Sequence, residues 1–233
     1  MLSTETKSYY RRNLPHWHPP GAAIFLTYRL HGSLPDVVVQ QLRDTQSLLA
    51  REIDLAERAD KQIAELKLKR HKKLFAKIDT VLDKAEFGPR WLGQNEIAQL
   101  VEDALLRRYA ELYKLWAYVV MVNHVHLLLR AKPQDLPRQG ASDPLQPISS
   151  ITKRIKGYTA REANLILGRT GEPFWQQESF DHWPRDESEF FRIVAYIENN
   201  PIKAGLVKRP EEWQWSSAAE RKRRGWSEIQ SLT

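Results

Sequence analysis

The chain contains no cysteine. Disulfides, cysteine-ligated zinc and thiol chemistry are excluded, and any metal must be held by histidine, carboxylate or amide groups. No apolar run approaches the ~20 residues that cross a bilayer. The opening residues, Met1-Leu2-Ser3-Thr4-Glu5-Thr6-Lys7, lack the basic and apolar regions of a secretory leader. These absences predict a cytoplasmic protein without membrane contact. No internal repeat is visible, and neither proline nor glycine occurs between Asp36 and Phe87.

What is present points to a folded, basic protein. Hydrophobic residues make up 42% of 233, with Trp 8, Tyr 8 and Phe 7, enough for one substantial core. One domain over 1–233 is expected, elaborated by a helical insertion at 36–87 and a basic, tryptophan-bearing tail at 208–233. Lys+Arg 36 against Asp+Glu 29 gives a net charge of +7 and a pI near 9.5. That balance suits a polyanionic partner but does not by itself distinguish one from solvent.

The most informative stretch is Leu115-Trp116-Ala117-Tyr118-Val119-Val120-Met121-Val122-Asn123-His124-Val125-His126-Leu127-Leu128-Leu129-Arg130. It reads as two strands split near Asn123. On the second strand, alternation puts His124, His126 and Leu128 on one face and Val125, Leu127 and Leu129 on the other. Two imidazoles side by side on a strand can share a divalent metal, or can simply be strand residues with no ligand.

Upstream, His16 and His18 also alternate, but Pro15, Pro19 and Pro20 argue against a regular strand there. Ala22 to Leu30 reads as a first buried strand, ended by Gly32 and Pro35. In 36–87, Leu42, Thr45, Leu49, Ile53, Ile63, Leu66, Leu74, Ile78 and Leu82 recur at steps near three and four, the helical period. A single helix of that length would run ~75 Å, so a hairpin or bent pair is expected, carrying the basic run Lys67 to Lys73. A further helix follows from Asn95, a candidate N-cap, to Tyr113. After a proline-punctuated loop at 133–147, Ser149 or Ser150 caps a helix to Leu167. Phe174 to Trp183 reads as a last strand. Asp186 or Ser188 opens a helix through Tyr196 that Pro201 should end near Asn199 or Asn200. The order is that of an α+β protein: a ferredoxin-like βαββαβ core with an antiparallel sheet, a C-terminal helix and a long helical insertion.

Tyr196 and Asn200 lie four apart and project from one helical face. A phenol with an ordinary pKa near 10 is a poor nucleophile unless a metal polarises the electrophile and fixes the geometry. Tyr158, among the basic residues of Lys153-Arg154-Ile155-Lys156-Gly157-Tyr158, is the rival phenol. His182 and Glu178 are candidates for a third ligand, which the sequence leaves open.

His124-Val125-His126 after a strand, followed about seventy residues later by Tyr196-Ile197-Glu198-Asn199-Asn200-Pro201-Ile202-Lys203-Ala204-Gly205, resembles the single-tyrosine HUH transposases. The closer likeness is to the REP-associated tyrosine transposases, whose helix reads roughly Tyr-Ile-x-x-Asn-Pro-x-Lys-x-Gly. Trp213-Gln214-Trp215-Ser216-Ser217 also fits their Trp-x-Trp-Ser-Ser tail. The resemblance is loose over Ala22 to Leu30, good over Gly88 to Ser217, and weakest in the insertion. It implies a nuclease that cleaves and rejoins single-stranded or hairpin DNA, as a monomer or homodimer. His124 and His126 would ligate Mg²⁺ or Mn²⁺, Tyr196 would be the nucleophile and Asn200 would supply an amide near the metal. Imidazoles alone favour softer metals, so oxygen ligands should complete such a shell. For DNA phosphates the expected contacts are Lys153, Arg154, Lys156, Lys203, Arg221, Lys222, Arg223 and Arg224. Exposed tryptophans would stack on bases, whereas Trp116 and Trp175 are expected in the core. Two other readings share these residues: a DNA-binding module without chemistry, and a histidine-metal hydrolase without a covalent step.

Overall fold

The computed structural model describes residues 9–11, 15–17, 21–41, 44, 76–132, 146–227 and 229–232. Much of the insertion, including Lys67 to Lys73, and His18 lie outside the described residues.

Its centre is a four-stranded antiparallel sheet in the order β4-β5-β3-β6. The strands are β3 (Ile24–Arg29), β4 (Tyr113–Val120), β5 (His124–Ala131) and β6 (Phe180–His182). Helix α3 (Asn95–Asp103) connects β3 to β4 and α4 (Gln146–Ile166) connects β5 to β6. Two antiparallel neighbours flank the first strand, and the β4–β5 hairpin sits at one edge, which is the ferredoxin-like arrangement expected from the element order. Before it, β1 (Tyr9–Arg11) and β2 (Pro15–Trp17) pair as a small separate ribbon. The expectation against a strand at His16 is thus corrected: Pro15 is the first residue of a strand in a two-stranded ribbon, where a missing N–H is tolerated.

Both faces of the sheet are covered, which is why β5 reads as a continuous apolar run and is buried from His124 to Leu129. On one face Leu26, Tyr28, Leu115, Tyr118, Val125, Leu127 and Leu129 pack against Ile97 and Val101 of α3 and Ile151 and Ile155 of α4. A bulge at Trp116, between Leu115 and Ala117, resets the alternation of β4. On the other face Phe25, Ala117, Val119 and Leu128 pack against Ile193, Val194 and Ile197 of α5 (Glu187–Lys203).

Several boundaries move from the sequence expectation for physical reasons. Helix α3 starts after Gln94, so Asn95 is its first residue rather than its cap. The helix gives way at Ala104–Arg108 to a π-helical turn before β4. Helix α4 begins at Gln146, ahead of Ser149. The last strand shrinks to Phe180–His182 because Phe174 and Trp175, adjacent in sequence, are both buried in the same core, which strand alternation forbids. Pro201 does not end α5. It lies in the last turn, and the chain remains helical to Lys203.

The described ends of the insertion are α1 (36–41) and α2 (76–84), joined where Lys77 Nζ donates to Gln41 Oε1 at 2.9 Å. Past α2, Gly88 has φ +69°, and a Cβ there would stand 2.1 Å from the Gly32 carbonyl oxygen. Only glycine permits this approach. It pins the exit of α2 against the turn that follows β3. Helix α6 (Ser217–Arg224) closes the chain, capped by the Ser216 hydroxyl, which accepts from the Ala219 N–H.

Candidate metal centre

His124 and His126 leave β5 on the α5 face, both fully buried, with their Nε2 atoms 3.0 Å apart. Each ring is held from behind. His124 Nδ1 donates to Asn123 Oδ1 at 2.6 Å, whose amide orientation is set because Asn123 Nδ2 donates to the Leu82 carbonyl at 3.1 Å. His126 Nδ1 lies 2.6 Å from the hydroxyl of Thr27, its direct cross-strand partner. With both Nδ1 atoms protonated, the two Nε2 lone pairs face each other, an arrangement a cation between them would stabilise. Burial, reinforced by the neighbouring His126, lowers the His124 pKa to about 3. It is therefore the neutral imidazole that a metal requires.

Two carboxylates complete the cluster. Asp79 and Asp83 of α2 are four residues apart and project from one helical face, and both are buried. Asp79 Oδ1 lies 3.1 Å from His126 Nε2, and Asp83 Oδ1 3.8 Å from His124 Nε2. Donor atoms of all four residues fall within 4.8 Å of one another. Burial would raise Asp79, but His126, His124 and Lys203 outweigh it and hold its pKa below the ordinary value. Asp83 moves the other way, raised by burial and by the charge of Asp79. Opposed shifts of this kind mark two carboxylates crowded into one site.

Helix α5 brings three residues to the same place. Asn200 is buried, its Nδ2 3.5 Å from His126 Nε2, while its Oδ1 has no hydrogen-bond partner. A half-turn of the carboxamide exchanges the two atoms and aims that orphaned oxygen at the cluster. The half-buried Tyr196 ring packs edge-on to His126, centroids 5.8 Å apart, and to Phe25 at 5.9 Å. Lys203 Nζ sits 2.5 Å from Asp83 Oδ2, 3.7 Å from Asp79 Oδ2 and 5.6 Å from the Tyr196 ring centre. The donor set of two imidazoles, two carboxylates and a nearby unpartnered amide oxygen fits a divalent cation.

No family model matches the chain. A protein of Haemophilus influenzae described as uncharacterized is 33% identical over 101 residues, covering 36% of this chain and 52% of that protein. The chain thus spans about half the length of the curated relative it matches. Among solved structures, a REP-associated tyrosine transposase bound to a REP hairpin aligns with a TM-score of 0.46 and 16% identity. The alignment covers 94% of this chain and 88% of that one.

The remaining sequence candidates are dispersed. Tyr158 lies on α4, across the sheet from the cluster, with the Arg108 guanidinium 3.9 Å from its ring centre and Tyr109 alongside. His182 is not part of the four-residue cluster. It binds Glu189 Oε1 at 3.0 Å, joining β6 to the start of α5. Glu178 lines a cavity of about 510 Å³ beside α4, together with Lys153 and Lys156. Lys153 and Arg154 are exposed on α4, whereas Lys156 Nζ donates to the carbonyls of Gln176 and Gln177 at 2.6 and 3.0 Å. In the tail, Arg221 is buried and paired with Glu198. Arg223 pairs with Glu102 and Glu220, and Arg224 with Glu220. Lys222 of that run is exposed. Trp175 is in the core, its Nε1 donating to Thr159 Oγ1, and Trp116 packs on Phe190.

Each arginine of α6 thus meets a glutamate of the protein itself. Glu198 of α5 accepts from the Ser217 hydroxyl at 2.6 Å and from Arg221, fastening α6 to the helix that carries Tyr196 and Asn200. Asp79 and Asp83 were missed in the sequence. The available signal was an i, i+4 acid pair interleaved with Ile78 and Leu82, the residues that mark the buried face of the helix.

Proposed function

We propose that the protein is a metal-dependent single-stranded DNA endonuclease and strand-transferase acting through a 5′-phosphotyrosine intermediate, with hairpin-forming repeats as its substrates. The observation that carries this reading is the Tyr196 ring against His126, one helical turn from the buried Asn200, beside the Asp79–Asp83–His124–His126 cluster. A phenol ring beside a candidate cation site, on a helix tethered at both ends, supports the role of Tyr196 as the attacking group.

In the reaction the Tyr196 oxygen forms a bond to the backbone phosphorus and gives its proton to water. The bond from phosphorus to the 3′-oxygen of the upstream nucleotide breaks, and that oxygen leaves with a proton as a free 3′-hydroxyl. Reversal by a 3′-hydroxyl rejoins DNA. Asp79, Asp83, His124 and His126 would hold the cation, with Asn200 in reach, and a cation bound there would supply electrostatic stabilisation of the negative charge on a phosphate. Two carboxylates harden a site that two imidazoles would leave soft, which favours Mg²⁺ or Mn²⁺. Lys203, fixed between the carboxylates and the tyrosine ring, adds a second positive charge at the attacking group.

A second reading is a hydrolase in which water attacks and no covalent intermediate forms. The buried carboxylate pair favours it, because four protein ligands form a site without recourse to the tyrosine. Labelled single-stranded DNA, drawn from the sequences flanking the gene and incubated with Mn²⁺, separates the two on a denaturing gel. A covalent adduct that Tyr196→Phe abolishes is expected. Cleavage without an adduct, unchanged by Tyr196→Phe, would favour the hydrolase, and retention without cleavage would leave only a binding module.

A further inference from the structure

Each carboxylate of the cluster meets different partners through its two oxygens. Asp79 Oδ1 faces His126 Nε2 at 3.1 Å, and Asp83 Oδ1 faces His124 Nε2 at 3.8 Å. The second oxygens face Lys203, whose Nζ lies 2.5 Å from Asp83 Oδ2 and 3.7 Å from Asp79 Oδ2. One ammonium thus spans the outer oxygens of both residues, and the inner oxygens are left on the side of the imidazoles. Against the burial that disfavours charge on both carboxylates, Lys203 favours the ionised form of each. Tyr196, Asn200 and Lys203 follow one another at steps of four and three along α5, so all three leave one face of that helix. The Lys203 side chain is 48% exposed, reaching the pair from the rim rather than filling the core.

This division of oxygens bears on which ion fits. A carboxylate can offer a cation one oxygen or both. Offering both would turn Oδ2 away from the ammonium and forfeit a charge-assisted contact in a buried site. With Oδ2 held, each aspartate offers one oxygen, and with the two histidines the cluster supplies four donors. An octahedral Mg²⁺ or Mn²⁺ accepts that set and completes its shell with other oxygens. Ca²⁺ takes about six to eight oxygens, often both from one carboxylate, and is the poorer match.

We infer that Lys203 holds Asp79 and Asp83 to one metal-facing oxygen each, and so selects Mg²⁺ or Mn²⁺ against Ca²⁺. It is a positioning residue, acting on the ion through the two carboxylates. This role rests on the cluster being a divalent-cation site, as in the reading above, and not on the covalent step with DNA.

The test loads the full chain with Mn²⁺, followed by electron paramagnetic resonance, and then displaces the Mn²⁺ with Ca²⁺. Loss of a nearby charge changes the affinity for both divalent ions alike, so the ratio of the two affinities separates oxygen count from charge. Lys203→Met is expected to shift that ratio toward Ca²⁺ by about tenfold or more, the scale for a partner that orients a metal ligand. Lys203→Arg keeps a cation against both outer oxygens and should hold the ratio within about twofold. An unchanged ratio in Lys203→Met would overturn the inference, as would a wild-type chain that binds no Mn²⁺. If Lys203→Met does not fold, infrared spectra of the Mn²⁺-loaded wild-type chain decide. The separation of the carboxylate stretching bands distinguishes one-oxygen from two-oxygen coordination, and the two-oxygen pattern would overturn it. A shifted ratio with no tyrosyl adduct on DNA removes the transesterification and leaves Lys203 its role. An adduct with an unchanged ratio does the reverse.

Discussion

The two faces of the central sheet are built by the same strands and differ in content: one is apolar throughout, while the other sets a polar cluster beside the apolar patch of Phe25, Ala117, Val119 and Leu128. Toward α3 and α4 the sheet presents Leu26, Tyr28, Val125, Leu127 and Leu129, an apolar layer filled by helix side chains. Toward α2 and α5 the interleaved residues are Thr27, Arg29, His124 and His126, and the helices answer with Asp79, Asp83, Asn200 and Lys203. One face gains stability from burying hydrocarbon. The other, besides its own apolar patch, buries polar and charged groups that stabilise little without a ligand. Because alternate residues of one strand serve each face, the apolar side fixes the geometry of the reactive side.

The sharpest way to break that contrast is to substitute neighbouring residues of β5. His126→Ala should weaken Mn²⁺ binding by more than about 100-fold, since losing an orienting partner alone costs 10–100-fold, while leaving the Tm of the metal-free protein near wild type. Leu127→Ala should do the reverse, losing about 2–5 kcal/mol of stability with Mn²⁺ affinity of the folded fraction unchanged. Calorimetric titration and thermal unfolding of both variants decide it; parallel losses would mean that the faces are not separable.

A subtler probe is Thr27→Val, which keeps the shape and removes the hydroxyl behind His126. Mn²⁺ affinity should fall about 10-fold, toward the lower end for an orienting partner. An unchanged affinity would show that the ring is held by packing alone.

A separate effect is expected on acid stability. His124 has its folded pKa lowered to about 3 from an ordinary 6.5. The unfolded chain therefore takes up the proton first, and the contribution of His124, complete above pH about 6.5, is lost as pH falls from there toward 3. Denaturant unfolding of the metal-free protein across that window should show this slope, and His124→Gln should flatten it.

How much of this was legible in the sequence depended on whether a residue's role is local. The pairing of His124 with His126, and of Tyr196 with Asn200, follows from the periods of strand and helix, so the shared faces could be read from spacing. The element order gave the ferredoxin-like sheet for the same reason. Asp79 and Asp83 are also spaced for one face, but an acid pair on a long charged helix looks the same whether it meets water or two histidines 3.0 Å apart. Only the tertiary position of α2 distinguishes them. The arginines of α6 show the converse. A basic run reads as a surface for phosphate, yet the glutamates that occupy Arg221 and Arg223 come from α5 and α3, which only the fold brings near. Tyr158, set among basic residues in the sequence, is a rival to Tyr196 that the fold separates from the cluster by packing α4 on the opposite face.

The close passage of Gly88 over Gly32, with the Lys77–Gln41 contact beside it, bears on how the insertion can vary. Both of its ends are fastened close to the sheet, so the register of Asp79 and Asp83 does not depend on how far the chain travels between them. Asp79 and Asp83 are therefore held in register by contacts among the described residues at the two ends of the insertion.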